Sequence, residues 1–240
     1  MNRVLKGLAD LVFPPRCIAC GNLVNGIEAN PFCQSCFSHV HFIQSPLCAR
    51  CGIPFAAEEG RDHLCGDCAT SKAHFTVARA VGRYEDVLLD AIHRFKYKGK
   101  THIGEVLGQI MASHDYPSFR IIDYTMIVPV PLHRKRLRER GFNQSVILAR
   151  EVAKRHSLPM NFAVLKRKTW TEPQVMLGKD ARGANVRGAF EVTDNEKMRD
   201  EKVLLVDDVY TTGSTVKECA RVLKKSGAAE VAVLTLARAV

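Results

Sequence analysis

The sequence lacks a long hydrophobic run, and this absence excludes a membrane-spanning protein. No stretch of the 240 residues reaches the roughly 20 apolar residues that a spanning helix needs. Lys6 and Asp10 interrupt the apolar start of the chain, which therefore does not match a signal-peptide core. We predict a cytoplasmic protein. We also predict a short amphipathic helix at its start, because apolar residues recur there at helical spacing: Val4, Leu5, Leu8, Leu11 and Val12.

Basic residues are scarce at the front of the chain. Residues 1–70 hold five Lys/Arg against six Asp/Glu, a net charge of −1. The whole chain carries +10, so residues 71–240 carry +11. We therefore expect polyanionic partners to be attracted to the second part of the chain.

Cysteine, in contrast, is almost confined to the front. Eight of the nine cysteines form four Cys-x-x-Cys pairs, and only Cys219 stands apart. Disulfides are disfavoured without a signal peptide, whereas two such pairs give one metal ion a closed, tetrahedral set of four sulfurs, which is typical of structural zinc. We predict two zinc ions held by sequential sets of cysteines. The first set is Cys17, Cys20, Cys33 and Cys36, and the second is Cys48, Cys51, Cys65 and Cys68.

The sequence is also compatible with other arrangements of the cysteines. A cross-braced pairing satisfies the same spacing, whereas a redox dithiol is disfavoured by four repeats of one motif. This turn-rich segment cannot bury a core of its own and needs metal to fold. Because the cysteines stop and longer periodic segments begin near residue 72, we predict a zinc module over 1–72 and a second domain over 73–240. Cys219 lies on an apolar helical face and is predicted to be a core residue.

The second domain alternates strands with helices and is predicted to be α/β. Its clearest part is a strand, a helix and a strand at the end of the chain, which implies a parallel sheet with a right-handed crossover. The predicted strands are Val77–Tyr84, Met126–Pro131, Val203–Val206 and Val231–Leu236. The predicted helices are Val87–Phe95, Ile103–Met111, Asn143–His156 and Thr215–Lys225.

The sequence lacks the Gly-x-x-x-x-Gly-Lys-Ser/Thr pattern of ATP-binding loops, but residues 203–215 form a different phosphate-binding pattern. Four apolar residues are followed by Asp207 and Asp208 and by a hydroxyl-rich loop that opens a helix. The loop can donate backbone N–H groups to a phosphate, and Gly213 permits close approach. The two acids can accept hydrogen bonds from ribose hydroxyls, so the pattern indicates a sugar phosphate. An acidic strand end before an ordinary helix cap is the alternative.

This segment resembles the signature with which type I phosphoribosyltransferases bind phosphoribosyl pyrophosphate (PRPP). Tyr210 departs from the signature, because the family usually has an aliphatic residue there. The resemblance implies that Asp207 and Asp208 are catalytic residues that hold the ribose hydroxyls, and that Mg²⁺ accompanies PRPP. It also implies a parallel sheet flanked by helices and a 5-phosphate site formed by Thr211, Thr212, Gly213, Ser214 and Thr215.

Five basic residues follow the predicted strand that ends at Pro131. A departing pyrophosphate accumulates negative charge, which such residues stabilise. We therefore predict a pyrophosphate loop here, with a nucleic-acid contact and a solvated face as alternatives. Its residues are Arg134, Lys135, Arg136, Arg138 and Arg140.

A polar segment over residues 166–187 has two interpretations. It is either a loop that closes over the reacting centre or an ordinary surface hairpin. In the first case Lys166, Arg167, Lys168 and Arg182 approach the phosphates. Trp170 is the only tryptophan, and we predict that it packs against the protein rather than stacking on a base.

The order of these features resembles the ComF/GntX family over nearly the full length of the chain. The four cysteine pairs, Arg138–Gln144 and the PRPP signature carry the resemblance, and further matches are Phe95–Gly99, Thr171–Gln174, Arg182 and Asn185. It implies a double zinc ribbon before a type I phosphoribosyltransferase fold. It also implies PRPP binding, natural competence, handling of incoming single-stranded DNA by the basic domain, and a place at the inner face of the membrane beside DNA-uptake or recombination proteins.

Three hypotheses for the function follow. The first is a competence protein of this family that binds PRPP. The second is an active phosphoribosyltransferase that acts on a nucleobase, for which the sequence shows no base-reading segment. The third is a zinc-ribbon regulator with a PRPP-sensing domain, which would require a basic zinc module, whereas this one is acidic.

Overall fold

The computed structural model describes residues 14–24, 31–57, 59–97, 100–170 and 186–240. The amphipathic helix predicted at the start of the chain lies outside these residues, as do Thr171–Gln174, Arg182 and Asn185. Among the described residues, no helix is both long enough and apolar enough to cross a membrane.

The secondary structure follows the predicted alternation of strands and helices. The strands are β1 (Val77–Arg83), β2 (Met126–Pro129), β3 (Leu165–Arg167), β4 (Phe190–Val192), β5 (Lys202–Tyr210) and β6 (Glu230–Arg238). The α-helices are α1 (Gln34–Phe37), α2 (Gly66–Thr70), α3 (Asp86–Tyr97), α4 (Thr101–Ser113), α5 (Arg134–Arg140), α6 (Gln144–His156) and α7 (Ser214–Lys225), with 3₁₀ turns at Ile121–Asp123 and Glu196–Met198.

Four strands form a parallel sheet in the order β1–β6–β5–β2, whereas β3 and β4 form a separate antiparallel pair. The β5–α7–β6 unit is the crossover predicted from the sequence. The predicted α/β fold is therefore confirmed.

Each face of the sheet carries its own core because successive side chains of a strand point to opposite faces. In β5, Leu204 and Val206 pack with helices α3, α4 and α6, whereas Val203 and Leu205 pack with α7 and the β3–β4 pair. Cys219 belongs to the second core and is fully buried. The sheet is thus covered on both sides, as parallel sheets usually are.

The segment between the two groups of zinc cysteines lies along the free edge of β1. The Ile43 amide donates to the Val81 carbonyl at 3.0 Å, and the Arg83 amide donates to the His41 carbonyl at 2.8 Å. Further along, the Ala78 amide donates to the Arg50 carbonyl at 2.7 Å. The front part of the chain therefore covers a sheet edge that would otherwise expose unpaired backbone groups.

Two predicted segments differ in the structure: one strand is longer than predicted, and one predicted loop is a helix. Strand β5 continues to Tyr210 rather than ending at Val206, because β6 pairs with it over its whole length, whereas β2 ends opposite Val206. The predicted pyrophosphate loop is helix α5, a run of good helix formers. The His133 side chain caps its start and Gly141, at φ 82°, ends it.

Candidate phosphate-binding site and metal centres

The first four cysteines form a single group of sulfurs. The Sγ atoms of Cys17, Cys20, Cys33 and Cys36 all lie within 4.8 Å of one another. Cys17 and Cys20 lie in a tight turn, and Cys33 directly precedes α1. The separation of 3.8 Å between the Sγ atoms of Cys20 and Cys33 equals the edge of about 3.8 Å of a tetrahedron with zinc–sulfur bonds of about 2.3 Å. The donor set therefore fits one zinc ion.

The second four cysteines repeat this arrangement. The Sγ atoms of Cys48, Cys51, Cys65 and Cys68 lie within 4.8 Å of one another, and those of Cys51 and Cys65 are 3.8 Å apart. The structure thus brings together the sequential sets of cysteines rather than cross-braced ones.

Backbone N–H groups prepare both groups of cysteines to bind a cation. Burial alone would raise the pKa of Cys48, but N–H groups of Cys51, Cys65 and Arg50 outweigh it and lower the pKa to about 6. Cys17 has a pKa of about 6 for the same reason, with backbone N–H donors from Cys33, Cys20 and Ala19. In each group the lowered pKa favours the thiolate of one cysteine, which is the form that binds zinc.

The acid pair of the phosphate-binding pattern lies at the carboxyl end of the sheet. Asp207 and Asp208 lie beyond the point where β2 stops pairing with β5, and both side chains are buried. Asp207 accepts hydrogen bonds from the Ser145 hydroxyl at 2.8 Å and the Asp208 amide at 2.9 Å. Burial, followed by the neighbouring charge of Asp208, raises the pKa of Asp207 to about 7.

The positive charge of a lysine stabilises the ionised form of Asp208. Its carboxylate forms a buried ion pair with Lys96 of α3. Burial would raise the pKa of Asp208, but Lys96 outweighs this effect and holds the pKa below its usual value. Arg140 acts on Asp208 in the same direction. Within the pair, Lys96 favours the ionised form of Asp208, whereas burial and the neighbouring charge make Asp207 easier to protonate.

The loop after the acids begins α7. Gly213 is the helix cap with φ 75°, in the left-handed region that favours glycine. The Thr212 and Ser214 hydroxyls are 2.9 Å apart and partly exposed, as are Thr211 and Thr215. Hydroxyls and the N-terminal amides of a twelve-residue helix thus lie together, which is a favourable setting for a phosphate.

The structure divides the five basic residues of the predicted pyrophosphate loop. Arg140 lies towards the acid pair, where its guanidinium donates to the Gln144 side chain at 2.6 Å. Lys135 and Arg136 lie against Trp170, at 4.7 and 6.0 Å from its ring centre. Arg134 and Arg138 are exposed.

Three of the four basic residues predicted to close over the site lie on or beside β3. Lys166 and Lys168 are exposed, and Lys168 pairs with Glu191 of β4 at 3.7 Å. Arg167 lies over the Phe190 ring at 5.4 Å. The prediction that these residues approach phosphates remains a prediction, and Arg182 lies outside the described residues. Trp170 packs against His133, with 5.2 Å between the ring centres.

Comparison with known proteins assigns two parts of the chain. A model described as a double zinc ribbon domain matches residues 8–69, and one described as a phosphoribosyl transferase domain matches residues 143–239. The chain is 32% identical over 232 residues to competence protein F of Haemophilus influenzae, and the match covers 93% of this chain and 97% of that protein. The chain belongs to the competence protein F family.

Two further relatives extend this family. DNA utilization protein YhgH of Escherichia coli is 31% identical over 196 residues, which cover 80% of this chain and 84% of that protein. Competence protein ComFC of Bacillus subtilis is 29% identical over 216 residues, which cover 86% and 83%. The predicted family is therefore confirmed, and so is a zinc module of the double zinc ribbon type before a phosphoribosyltransferase domain.

Lys96, like Ser145, is a site residue to which the sequence assigned no role. It belongs to the Phe95–Gly99 match to the competence protein F family, but its pairing with an acid more than a hundred residues later has no local signal. The available clue is that a lysine lies in the last turn of an amphipathic helix whose other face is apolar. Only the packing of α3 beside β5 brings its ammonium group to Asp208.

Proposed function

We propose that this protein binds PRPP with Mg²⁺ at the carboxyl end of its parallel sheet and acts in natural competence in the cytoplasm, where it handles incoming DNA. The observation that carries the proposal is the buried acid pair beside the hydroxyl-rich start of α7. Ligands of open α/β sheets bind at this edge.

The acid pair has the properties that a ribose site requires. Ionised Asp208 accepts hydrogen bonds from a ribose hydroxyl, and Lys96 offsets the cost of burying its charge. Asp207 accepts hydrogen bonds from the other ribose hydroxyl, while the Ser145 hydroxyl, which donates to Asp207, fixes the orientation of its carboxylate. A Mg²⁺ ion that accompanies PRPP would bind mainly to PRPP oxygens and water, since this small ion retains several waters.

Two clusters divide the phosphates of PRPP between them. The 5-phosphate fits Thr211–Thr215, where helix amides and hydroxyls donate hydrogen bonds. We propose that Arg140 and Lys96 contact the pyrophosphate. Both cations lie close enough to Asp208 to lower its pKa, so both border the ribose site. Arg134, Lys135, Arg136 and Arg138 then have no necessary part in PRPP binding.

Calorimetric titration of PRPP with Mg²⁺ tests the site. We expect binding to wild type and loss of detectable binding in Asp207→Asn/Asp208→Asn. The matched control is Asp90→Asn/Asp115→Asn, which changes the charge equally at two exposed positions and should bind like wild type. A folded, zinc-loaded wild type that does not bind PRPP would refute the proposal. Release of pyrophosphate in the presence of nucleobases would identify an active transferase.

A separate groove supports the handling of single-stranded DNA. It is a cavity of about 500 Å³ beside α5 and β3, bordered by apolar and basic residues and by one acid, Glu191. The Phe162 side chain there is 67% exposed and Leu137 is 42% exposed. Single-stranded nucleic acids bind where aromatic rings lie among positive charges. The basic residues are Arg134, Lys166, Arg167 and Lys168 at the cavity, and Lys135 at the neighbouring Trp170.

Fluorescence anisotropy with a labelled oligothymidine tests this groove. We expect Phe162→Ala to weaken binding by a factor on the order of ten, since stacking on an aromatic side chain contributes about 1–3 kcal/mol per base. Lys166→Met should reduce the slope of log affinity against log salt concentration by about one, which corresponds to one lost phosphate contact. Ile122→Ala, at an exposed position outside the groove, is the control. Equal affinity of all variants would exclude the groove as the DNA site.

The place of the protein in the cell is also part of the proposal. Relatives are named for competence and for DNA utilization. We propose that this chain likewise meets DNA-uptake or recombination proteins at the inner face of the membrane. Capture of such proteins by the tagged chain during DNA uptake, and its loss in the Phe162→Ala variant, would support this role. Unimpaired transformation of cells that lack the gene would contradict it.

A further inference from the structure

Tyr210 occupies an unusual position between the proposed PRPP loop and the second zinc group. It is the last residue of β5, and 4% of its surface is exposed. Its ring lies against Gly213, so that a methyl group added at Gly213 would collide with the Tyr210 hydroxyl and ring. The side chain thus determines how closely the start of α7 folds back on β5.

Arg238 connects this tyrosine to the second zinc group. Its guanidinium lies 4.2 Å from the centre of the Tyr210 ring and donates to the Cys51 carbonyl at 2.8 Å. A second guanidinium nitrogen lies 3.5 Å from the Cys51 sulfur. Arg238 is 6% exposed, and it lies directly opposite Tyr210 in the pairing of β5 with β6.

This chain of contacts has little freedom to relax. A cation over an aromatic face contributes more when both are removed from water, and buried side chains in close packing transmit displacements. Loss of zinc would leave the Cys51 sulfur without its metal and would alter the charge that Arg238 faces. A shift of Arg238 would in turn move Tyr210 against Gly213.

We propose that Arg238 and Tyr210 are positioning residues that couple zinc at the second cysteine group to PRPP binding at Gly213. The inference rests on the proposed PRPP site. Zinc in the second group then holds the phosphate loop in its binding geometry, and PRPP in turn strengthens the retention of that zinc. This reciprocity follows from thermodynamic linkage between two sites. It also gives a role to the tyrosine at the position where the signature usually has an aliphatic residue.

The first test measures PRPP affinity in the full chain loaded with zinc. We expect Arg238→Met and Tyr210→Leu each to weaken binding by about tenfold, within the range typical of coupled sites. Tyr210→Phe keeps the ring under Arg238 and should restore most of the affinity. Wild-type affinity in both Arg238→Met and Tyr210→Leu would overturn the inference.

The second test uses zinc release to a chromophoric chelator, with and without PRPP and Mg²⁺. We expect PRPP to slow one of two release phases by about tenfold in wild type and to leave the other unchanged. The slowed phase should be the one that Arg50→Met accelerates, since the Arg50 guanidinium donates to the Cys68 carbonyl at 2.6 Å.

Arg50→Met is also the matched control. It weakens the second zinc group without contacting Tyr210, so PRPP should still slow its release. In Arg238→Met the effect of PRPP should disappear. An equal effect of PRPP in Arg238→Met and wild type would show that the sites are independent. Absence of PRPP binding to wild type would instead remove the proposed PRPP site itself.

Discussion

The two zinc groups have the same local backbone and different surroundings. In the first, the Cys17 amide donates to the Asn22 carbonyl at 2.8 Å; in the second, the Cys48 amide donates to the Ile53 carbonyl at 2.8 Å. In each group the third cysteine directly precedes a short helix. The repeated spacing of the cysteines therefore specifies a repeated turn.

Burial separates the two groups. In the first, only Cys17 is buried and Cys20 is exposed, whereas in the second only Cys65 is not fully buried. The second group lies against β1 and receives Arg238, while the first receives Arg94 of α3 at the Ala19 carbonyl, 2.7 Å away. Identical metal motifs therefore contribute differently to a fold according to what packs around them.

The two zinc groups should differ most in how far the fold depends on them, which is tested by removing one sulfur from each group. Structural zinc contributes about 10–16 kcal/mol in zinc-finger peptides, which is comparable to the whole stability of a domain, about 5–15 kcal/mol. We expect Cys48→Ser to prevent accumulation of folded protein, because it opens a buried group next to β1. We expect Cys20→Ser to yield a folded chain with about one zinc ion. Metal analysis and circular dichroism measure both outcomes, and equal loss of fold would abolish the distinction.

A smaller difference is expected in the free energy of unfolding when the residue that precedes each zinc group is replaced. Leu47 is fully buried with Ile43 and Ala80, whereas its counterpart Arg16 is exposed. We expect Leu47→Ala to lower the free energy of unfolding by about 2–5 kcal/mol, through lost burial and a cavity. Arg16→Ala should change it by no more than about 0.5 kcal/mol. Denaturant unfolding of the zinc-loaded variants measures both changes. A small loss of stability in Leu47→Ala would mean that the neighbouring side chains move to fill the cavity.

The smallest difference is expected at the two turn glycines, Gly21 and Gly52. Both have positive φ, 86° and 70°, so alanine costs about 1–2 kcal/mol at either position. At Gly52 the added methyl would also lie 2.5 Å from the Ala78 carbonyl oxygen, whereas at Gly21 it would lie 2.9 Å from the flexible Arg94 guanidinium. Gly52→Ala should therefore lower the melting temperature more than Gly21→Ala. The reverse order would show that β1 yields more easily than the Arg94 side chain.

The features of this protein that could be predicted from its sequence are those with a local cause. Four Cys-x-x-Cys pairs require metal, and alternating apolar strands and amphipathic helices predict the β5–α7–β6 crossover. The order of acids, hydroxyls and Gly213 indicates a sugar-phosphate loop because each residue type has its own chemistry at that spacing. These features depend on neighbours within a few residues, where covalent connectivity limits the alternatives.

The contacts between these parts depend on the tertiary structure. It paired Lys96 with Asp208, divided the basic residues of α5 between Arg140 on one side and Lys135 and Arg136 on the other, and placed Arg238 between Tyr210 and the second zinc group. Each contact joins segments that are distant in the sequence, and its energy depends on burial, which the order of residues does not contain. Burial arises only when the sheet and its helices pack together, and that packing turns a lysine at the end of a helix into a counter-ion.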